Sequence, residues 1–218
     1  MDVKSFFTSI DQRILYNLIA KKVKNKEILW LTKTIIFHDC ARDIPPKIQS
    51  QPSLFEKLPP DKSLFTAAKG KGLPIGNLTS QFFANVYLNE LDQFVKHTLK
   101  AKYYLRYVDD FLILDMDKAK LEDFRRKITD FAKETLSLTI HPEKNFIEPV
   151  SQGIDFVGYL VHSDYVLIRK RVVGQWRRKM EQEMEKEKMT QSFNSYLAHA
   201  KWANAQGLKR KMTEIALS

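Results

Sequence analysis

Cysteine and long apolar runs are almost absent from this sequence. The single cysteine, Cys40, excludes a framework of internal disulfide bonds and fits a reducing compartment. No apolar stretch approaches the roughly 20 residues that a membrane-spanning helix needs, and the opening residues do not have the pattern of a signal peptide. Internal repeats and low-complexity tracts are also missing. We therefore expect a cytoplasmic globular protein without a membrane partner.

Positive charge, by contrast, is in excess. The 218 residues include 36 Lys and Arg against 26 Asp and Glu, which gives a formal net charge of +10. Such a balance favours a polyanionic partner, although a solvated basic surface that only aids solubility is the alternative. The hydrophobic content of 44% is ordinary for a soluble globular protein, and the length suits one domain or two small ones.

The N-terminal part of the chain predicts a short strand followed by two helices. Residues 3–10 are typical of a strand that runs into a turn, and Ser9 and Asp11 are candidate N-caps for a helix over 12–24. A second apolar helix is predicted over 26–38.

Proline is concentrated in the segment that follows. Six of the eight prolines fall too close together for a regular helix or a central strand, and they predict a long ordered loop or insertion over 43–72. They are Pro45, Pro46, Pro52, Pro59, Pro60 and Pro74.

The rest of the chain alternates helices with short strands. Apolar residues at helical spacing predict one helix of about twenty residues after the Gly76-Asn77 break and an amphipathic helix around 121–136. Between them, two aromatic runs joined by Val108-Asp109-Asp110 predict a hairpin with the acids at its tip. The remaining predictions are short strands at 138–140 and 146–147, a hairpin over 156–168, a basic helix after Arg171, and a last helix that includes Tyr196 and Leu208. Trp176 and Trp202 are predicted to be buried between helices, with stacking on nucleic-acid bases as the alternative.

The adjacent acids Asp109 and Asp110 are the most informative feature. Two neighbouring carboxylates in an apolar hairpin are costly unless something positive compensates them, and a divalent cation does so well. Taken alone, such a pair is more often a solvated turn. The order of elements, however, predicts an α+β fold, a split βαβ sheet with helices on one face. This sheet would bring Asp2 on the first strand beside Asp109.

Carboxylates from two strands suit one particular chemistry. Phosphoryl transfer to a 3′-hydroxyl uses one cation to activate the attacking oxygen and a second to neutralise the leaving pyrophosphate. Asp2, Asp109 and Asp110, with the carbonyl of Val3, would supply the hard oxygen ligands that Mg²⁺ prefers. The sequence therefore predicts nucleotidyl transfer with two Mg²⁺ ions, for which Mn²⁺ is a candidate substitute.

Five segments, in this order, resemble the motifs of reverse transcriptases. Tyr107–Asp110 (Tyr-Val-Asp-Asp) resembles the catalytic box, and Asp2–Phe7 resembles the first catalytic-aspartate motif. Leu73–Gln81 is similar to the loop and helix that face nucleotide and template. His141–Lys144 is similar to the lysine motif, and Phe156–Leu160 to the primer-grip hairpin. The ordered occurrence of all five makes the resemblance specific.

The resemblance implies a ferredoxin-like polymerase palm and a small helical thumb. The palm would cover 1–161, with part of the fingers in the insertion at 43–72, and the basic thumb would cover 162–218. Reverse transcriptases normally have a fingers region before the first aspartate, so we expect the fingers to be missing here. The implied partners are an RNA template, a DNA primer, dNTPs and an accessory nucleic-acid-binding protein.

The resemblance also implies a role for each matching residue. Phe7 would act as a steric gate against a 2′-hydroxyl, although plain core packing is its alternative. Lys144 would protonate or neutralise the pyrophosphate, with a solvated strand-end lysine as the alternative. Asp2, Asp109 and Asp110 would be catalytic, with Val3 as a further metal ligand. Substrate binding is expected at Phe7, Ile75, Gly76 and Gln81, and nucleic-acid binding at Tyr107, Phe156, Gly158, Arg169, Arg171, Arg177 and Arg178.

The loop at Gly76 bears on the subclass. Most reverse transcriptases have Gln before this glycine and Pro after the later serine, where this chain has Ile75 and Gln81. That pattern resembles the reverse transcriptases of diversity-generating retroelements, which copy a template RNA with errors at adenines. The alternatives are group II intron or retron enzymes, a palm-type polymerase that makes RNA, and a basic RNA-binding scaffold without catalysis.

Overall fold

The computed structural model describes residues 1–39, 59, 63–180 and 186–217, which form helices and two small antiparallel sheets in two compact units. Cys40 and most of the predicted insertion at 43–72 lie outside the described residues. The units are Met1–Ile147 and Glu148–Ser218. Position 161, where the sequence predicts a domain boundary, lies in the second unit, and the strands on either side of it pair in one sheet.

Three helices begin the first unit: α1 (Phe6–Ser9), α2 (Gln12–Lys22) and α3 (Lys26–Ile36). Asp11 is the N-cap of α2, and its carboxylate accepts from the backbone N–H groups of Arg13 (3.0 Å) and Ile14 (3.1 Å). The predicted role of Ser9 as a cap is wrong, because its hydroxyl donates back to the carbonyl of Phe6 at 3.0 Å within α1. The same helical turn replaces the strand predicted over 3–10.

A long helix and a hairpin carry the chain to the middle of the unit. Helix α4 (Leu78–Gln93) continues as a π-helix (Phe94–Thr98). Strands β1 (Tyr103–Tyr107) and β2 (Asp110–Leu114) pair antiparallel, which confirms the predicted hairpin. Helix α5 (Lys118–Leu136) follows and confirms the amphipathic prediction.

The N-terminal residues join this hairpin to a distant segment. Isolated antiparallel bridges pair Asp2 with Asp110 and Val3 with Ile140. The backbone N–H of Phe111 donates to the carbonyl of Met1 at 2.9 Å, and that of His141 donates to the carbonyl of Asp2 at 2.8 Å. Residues 2–3 therefore lie between β2 and residue 140. Of the two short strands predicted nearby, residues 138–140 form only this bridge and residues 146–147 are irregular.

The core of the first unit lies where α2, α4 and α5 meet. Tyr87 of α4 is fully buried, and its hydroxyl donates to the carbonyl of Leu136 at the end of α5 over 2.5 Å. The same oxygen accepts from the backbone N–H of Asp11 at 3.4 Å. Burial raises the pKa of Tyr87, so the phenol stays neutral and keeps its proton for Leu136. Its fully buried apolar neighbours include Leu15, Leu88, Leu91, Ile128 and Leu136.

The second unit consists of a three-stranded sheet and three helices. Strands β3 (Ile154–Phe156), β4 (Tyr159–Val161) and β5 (Val166–Ile168) pair in sequence order, so the predicted hairpin gains a third strand. The last predicted helix is in fact two helices, separated by a turn near Trp202. The helices of this unit are α6 (Lys170–Met180), α7 (Lys186–Ala200) and α8 (Gln206–Leu217).

The two tryptophans predicted to be buried behave differently. Trp176 is 2% exposed, as predicted, whereas Trp202 is 74% exposed in the turn after α7, where burial was predicted wrongly. The ammonium of Lys201 lies 5.8 Å from the centre of the Trp202 ring. Among the helices in the described part of the chain, none is long and apolar enough to cross a membrane.

Candidate active site

The tip of the β1–β2 hairpin is a tight turn made by Val108 and Asp109. Tyr107 pairs directly with Asp110 across the turn. Val108 has φ +54°, a left-handed conformation that a β-branched residue adopts only when its surroundings impose it. Neighbouring groups must therefore hold this backbone, which carries Asp109, in place.

Arg106 supplies one such group. Its Nη1 donates to the carbonyl oxygen of Val108 at 2.8 Å. Its Nε and Nη2 donate to the two carboxylate oxygens of Asp92 on α4, at 2.7 and 2.6 Å. The hydroxyl of Tyr104 also donates to Asp92, at 2.6 Å. Sequence reasoning missed this cluster, since nothing in the local pattern indicates that side chains 14 positions apart form an ion pair.

The backbones of two segments bring the acids Asp2, Asp109 and Asp110 to the same side of the turn, where their charges interact. Asp2 is only 7% exposed, and its bridge to Asp110 places it next to the start of β2. Asp109 lies close enough to Asp2 for the two carboxyl groups to interact electrostatically. Burial, and then the negative charges of Asp2 and Asp110, raise the pKa of Asp109 to about 6. The structure therefore brings together carboxylates from the two segments that the sheet order predicted to meet.

Lys144 provides the positive charge at this cluster. It ends a 3₁₀ turn (Pro142–Lys144) that follows the bridge at Ile140, and its ammonium forms an ion pair with the carboxylate of Asp2. The hydrogen bond to Asp2 raises the pKa of Lys144. The Lys144 side chain is 56% exposed while that of Asp2 is 11% exposed, so the amine reaches the buried acid from the surface.

The oxygen donors match what a hard cation requires, although a complete site is not formed. Within the part of the chain that the structure describes, no three His, Cys, Asp or Glu side chains are grouped closely enough to hold a metal ion. The ammonium of Lys144 balances the charge of Asp2. Carboxylate oxygens are the hard ligands that Mg²⁺ prefers, so the residue types at this cluster fit that ion.

The predicted substrate loop is tied to the first motif by its backbone. The N–H of Leu73 donates to the carbonyl of Phe7 at 2.8 Å. Phe7 is half-buried and its ring contacts that of Phe6, with centroids 5.3 Å apart. Farther along, Ile75 is 70% exposed, and Gly76 has φ +104° with open space where a Cβ would lie. Gln81 is exposed on the first turn of α4.

This arrangement has a counterpart among known proteins. A family model described as "Reverse transcriptase (RNA-dependent DNA polymerase)" matches residues 1–161. The chain belongs to the reverse transcriptase family. The match includes Asp2, the hairpin and Lys144, which are the elements that form the acidic cluster.

Two curated proteins are similar to this reverse transcriptase chain. Protein YkfC of Escherichia coli is 26% identical over 203 residues, which cover 78% of this chain and 46% of that protein. The "Putative COX1/OXI3 intron 2 protein" of Saccharomyces cerevisiae is 22% identical over 197 residues, which cover 73% of this chain and 23% of that protein. The chain thus spans less than half the length of either relative.

The remaining predicted residues of this reverse transcriptase are distributed over both units. Tyr107 is 59% exposed at the end of β1. In the second unit, Phe156 is half-buried and Gly158 forms the β3–β4 turn with φ +86°. Arg169 pairs with Asp155, its Nε donating over 2.6 Å, so its charge is already matched within the chain. The arginines Arg171, Arg177 and Arg178 are exposed on α6.

Proposed function

We propose that this chain is the core of an RNA-directed DNA polymerase that adds dNTPs to a primer 3′-hydroxyl. The observation that carries the proposal is the meeting of Asp2 with the acids of the hairpin, through its bridge to Asp110, together with the ion pair between Lys144 and Asp2. The family match supports it. In this proposal the palm extends over 1–161 as a split βαβ sheet, and the bridges of Asp2 and Val3 supply its missing first strand.

Each residue of the cluster has a role in this proposal. Asp2, Asp109 and Asp110, with the carbonyl of Val3, would hold two Mg²⁺ ions. The bound ions would activate the attacking hydroxyl and neutralise the leaving pyrophosphate. Lys144 would donate a proton or a positive charge to the pyrophosphate. Its raised pKa keeps the ammonium charged, which suits neutralisation of the leaving group.

The residues around the cluster would select and orient the nucleotide. Phe7 excludes a 2′-hydroxyl by the bulk of its ring, since its backbone is fixed by Leu73. Ile75 and Gly76 have exposed surface for the incoming nucleotide. Gln81, on the first turn of α4, would also contact the substrate.

A thumb over 162–218 would grip the primer-template duplex through its phosphates. Arg171, Arg177 and Arg178 leave α6 into solvent, and phosphate binding of this kind requires no base readout. Tyr107, Phe156, Gly158 and Arg169 would also bind the nucleic acid.

Replacing the three arginines of α6 by Gln is expected to flatten the salt dependence of duplex binding. The slope of log K against log salt concentration should fall by about one unit for each phosphate that is no longer neutralised. An unchanged slope would remove α6 from the interface.

Within the family we favour a diversity-generating retroelement. Ile75 is exposed where most reverse transcriptases have Gln, and an aliphatic side chain offers no hydrogen bond with which to check the nascent pair. The variant Ile75→Gln is expected to reduce misincorporation opposite template adenines. Equal error rates would favour the alternative, a group II intron or retron enzyme. The name of the yeast relative, an intron protein, supports that alternative.

Nucleotide incorporation tests the main proposal. The complete gene product that contains this chain is given an RNA template, a DNA primer, dNTPs and Mg²⁺. We expect extension that requires Mg²⁺ and falls at least 100-fold in Asp109→Ala, because a metal ligand is removed. The control Asp130→Ala removes an exposed acid of α5 and should extend the primer like the wild type. Absence of extension, or full extension by Asp109→Ala, would refute the proposal.

An RNA-binding protein without catalysis is the second candidate, because Arg171, Arg177 and Arg178 are exposed together on α6. Salt-dependent RNA binding that persists after removal of Asp2 and Asp109, without any metal binding, would favour it.

A further inference from the structure

Arg106 joins the tip of the catalytic hairpin to helix α4. The side chain of Arg106 is 11% exposed, and the side chain of Asp92 is 26% exposed. An ion pair that is largely removed from water and bidentate is stronger and more directional than an exposed pair. Nη1 is left to bind the carbonyl of Val108 at 2.8 Å, and it also lies 3.2 Å from the side-chain oxygen of Asn85.

The carbonyl of Val108 belongs to the peptide group that leads into Asp109. Since a peptide group is planar, a bond to its oxygen also fixes the direction of the N–Cα bond of Asp109. The left-handed φ of Val108 is an unfavourable conformation that a non-glycine residue does not retain without support. The bond from Arg106 is therefore suited to hold the Asp109 carboxylate at Asp2.

We propose that Arg106 is a positioning residue, which fixes the Asp109 carboxylate in its metal-binding place by anchoring the Val108 carbonyl to Asp92. The inference rests on the proposed function, because it assumes that Asp109 is a metal ligand. Tyr104 assists by donating a third hydrogen bond to Asp92. Lysine cannot replace the arginine, since one ammonium does not present the planar fork that binds both Asp92 oxygens and the carbonyl together.

Divalent-ion binding measures this role without relying on polymerase activity. The 218-residue chain is titrated with Mn²⁺, and the free ion is followed by electron paramagnetic resonance. The variant Arg106→Lys is expected to bind Mn²⁺ about 10- to 100-fold more weakly, the usual effect of removing a residue that orients a metal ligand. The matched control is Arg126→Lys, which alters an exposed arginine that pairs with Asp123 at 2.7 Å on α5. It should bind Mn²⁺ like the wild type.

A purely structural role for Arg106 predicts a different pattern. It would lower the unfolding midpoint of Arg106→Lys and leave the Mn²⁺ affinity of the folded protein unchanged, and that result would overturn the proposal. If Arg106→Lys does not fold, Tyr104→Phe takes its place. Removing one donor to Asp92 should weaken Mn²⁺ binding in the same direction but less, and unchanged affinity would count against the proposal.

The variant Asp109→Asn separates failure of this inference from failure of the proposed function. Suppose that the wild type binds Mn²⁺, that Asp109→Asn does not, and that Arg106→Lys binds the ion as tightly as the wild type. This result refutes only the positioning role. If Asp109→Asn binds Mn²⁺ as the wild type does, the proposed metal site is wrong. Amide hydrogen exchange then decides the positioning role. If the turn has lost its anchor, the amides of Asp109 and Asp110 should exchange about tenfold faster in Arg106→Lys than in Arg126→Lys. Equal exchange rates refute the positioning role.

Discussion

Replacing Asp109 by Asn removes a carboxyl group whose ionisation its surroundings oppose. Burial and the charges of Asp2 and Asp110 raise the pKa of Asp109 from 3.8 to about 6. In the metal-free protein above pH 6 the folded state must therefore accept a charge at this position that the unfolded chain accepts easily. Asn has the same shape and carries no charge.

The sign and size of the effect follow from this pKa. A raised carboxyl pKa contributes stability that is fully present below pH 3.8 and is lost as the pH rises through about 6. The full difference corresponds to about 3 kcal/mol. Because Asp109 is only half-buried, solvent screening reduces the expected gain of Asp109→Asn to about 1–2 kcal/mol above pH 7. The two proteins should be equally stable at pH 4.

Urea unfolding in EDTA between pH 4 and pH 8 measures this difference. The stability of Asp109→Asn minus that of the wild type should grow with pH and reach a plateau above pH 7. Asp130→Asn, which removes an exposed acid of α5, should show no such growth. A difference that is independent of pH, or a less stable Asp109→Asn at pH 8, would refute the account. Added Mg²⁺ should raise the free energy of unfolding of the wild type, because a ligand stabilises the state that binds it. It should leave the free energy of unfolding of Asp109→Asn unchanged.

Three further substitutions test the core, the second unit and the nucleotide gate. Tyr87→Phe leaves a buried carbonyl without its donor and should lower the free energy of unfolding, measured in urea, by about 1–3 kcal/mol. The control Tyr103→Phe, at an exposed position, should leave this free energy unchanged. Equal effects of the two substitutions would contradict the burial argument. Gly158→Ala should destabilise the second unit by about 1–3 kcal/mol, since φ is +86° and an added Cβ would lie 3.3 Å from His199. The control Gly174→Ala lies within α6, with open space at its Cβ. It should instead stabilise the second unit by up to about 1 kcal/mol on thermal unfolding. If both glycine substitutions change the stability in the same direction, the reasoning is refuted. Phe7→Ala should raise the use of rNTPs relative to dNTPs by about 10- to 100-fold in primer extension, and an unchanged ratio would exclude the gate.

The β1–β2 hairpin was predictable from the sequence because its signals are local. Alternating aromatic residues set the strands, and the paired acids mark the turn, so Tyr103–Tyr107 and Asp110–Leu114 pair as expected. The cap of α2 was equally local, since Asp11 needs only the backbone of the next turn. Periodicity also located α4 and α5.

Features that depend on distant partners were not predictable in the same way. Arg106 and Asp92 meet only because β1 packs beside α4, which no local pattern encodes. The break between α7 and α8 was missed because apolar spacing continues from Tyr196 to Leu208 across a turn that contains neither glycine nor proline. Trp202 was assigned to the core from its residue type alone, although its position in that turn leaves it in solvent.

The bridge between Asp2 and Asp110 also has a consequence for the order in which the protein acquires its site. The interactions that complete the acidic cluster join residues as far as 142 positions apart, and such long-range pairings form late because closing a large loop of chain is entropically costly. During synthesis, Asp2 emerges from the ribosome long before Lys144 exists to balance its charge. We therefore expect the acidic cluster to form late in the folding of the first unit.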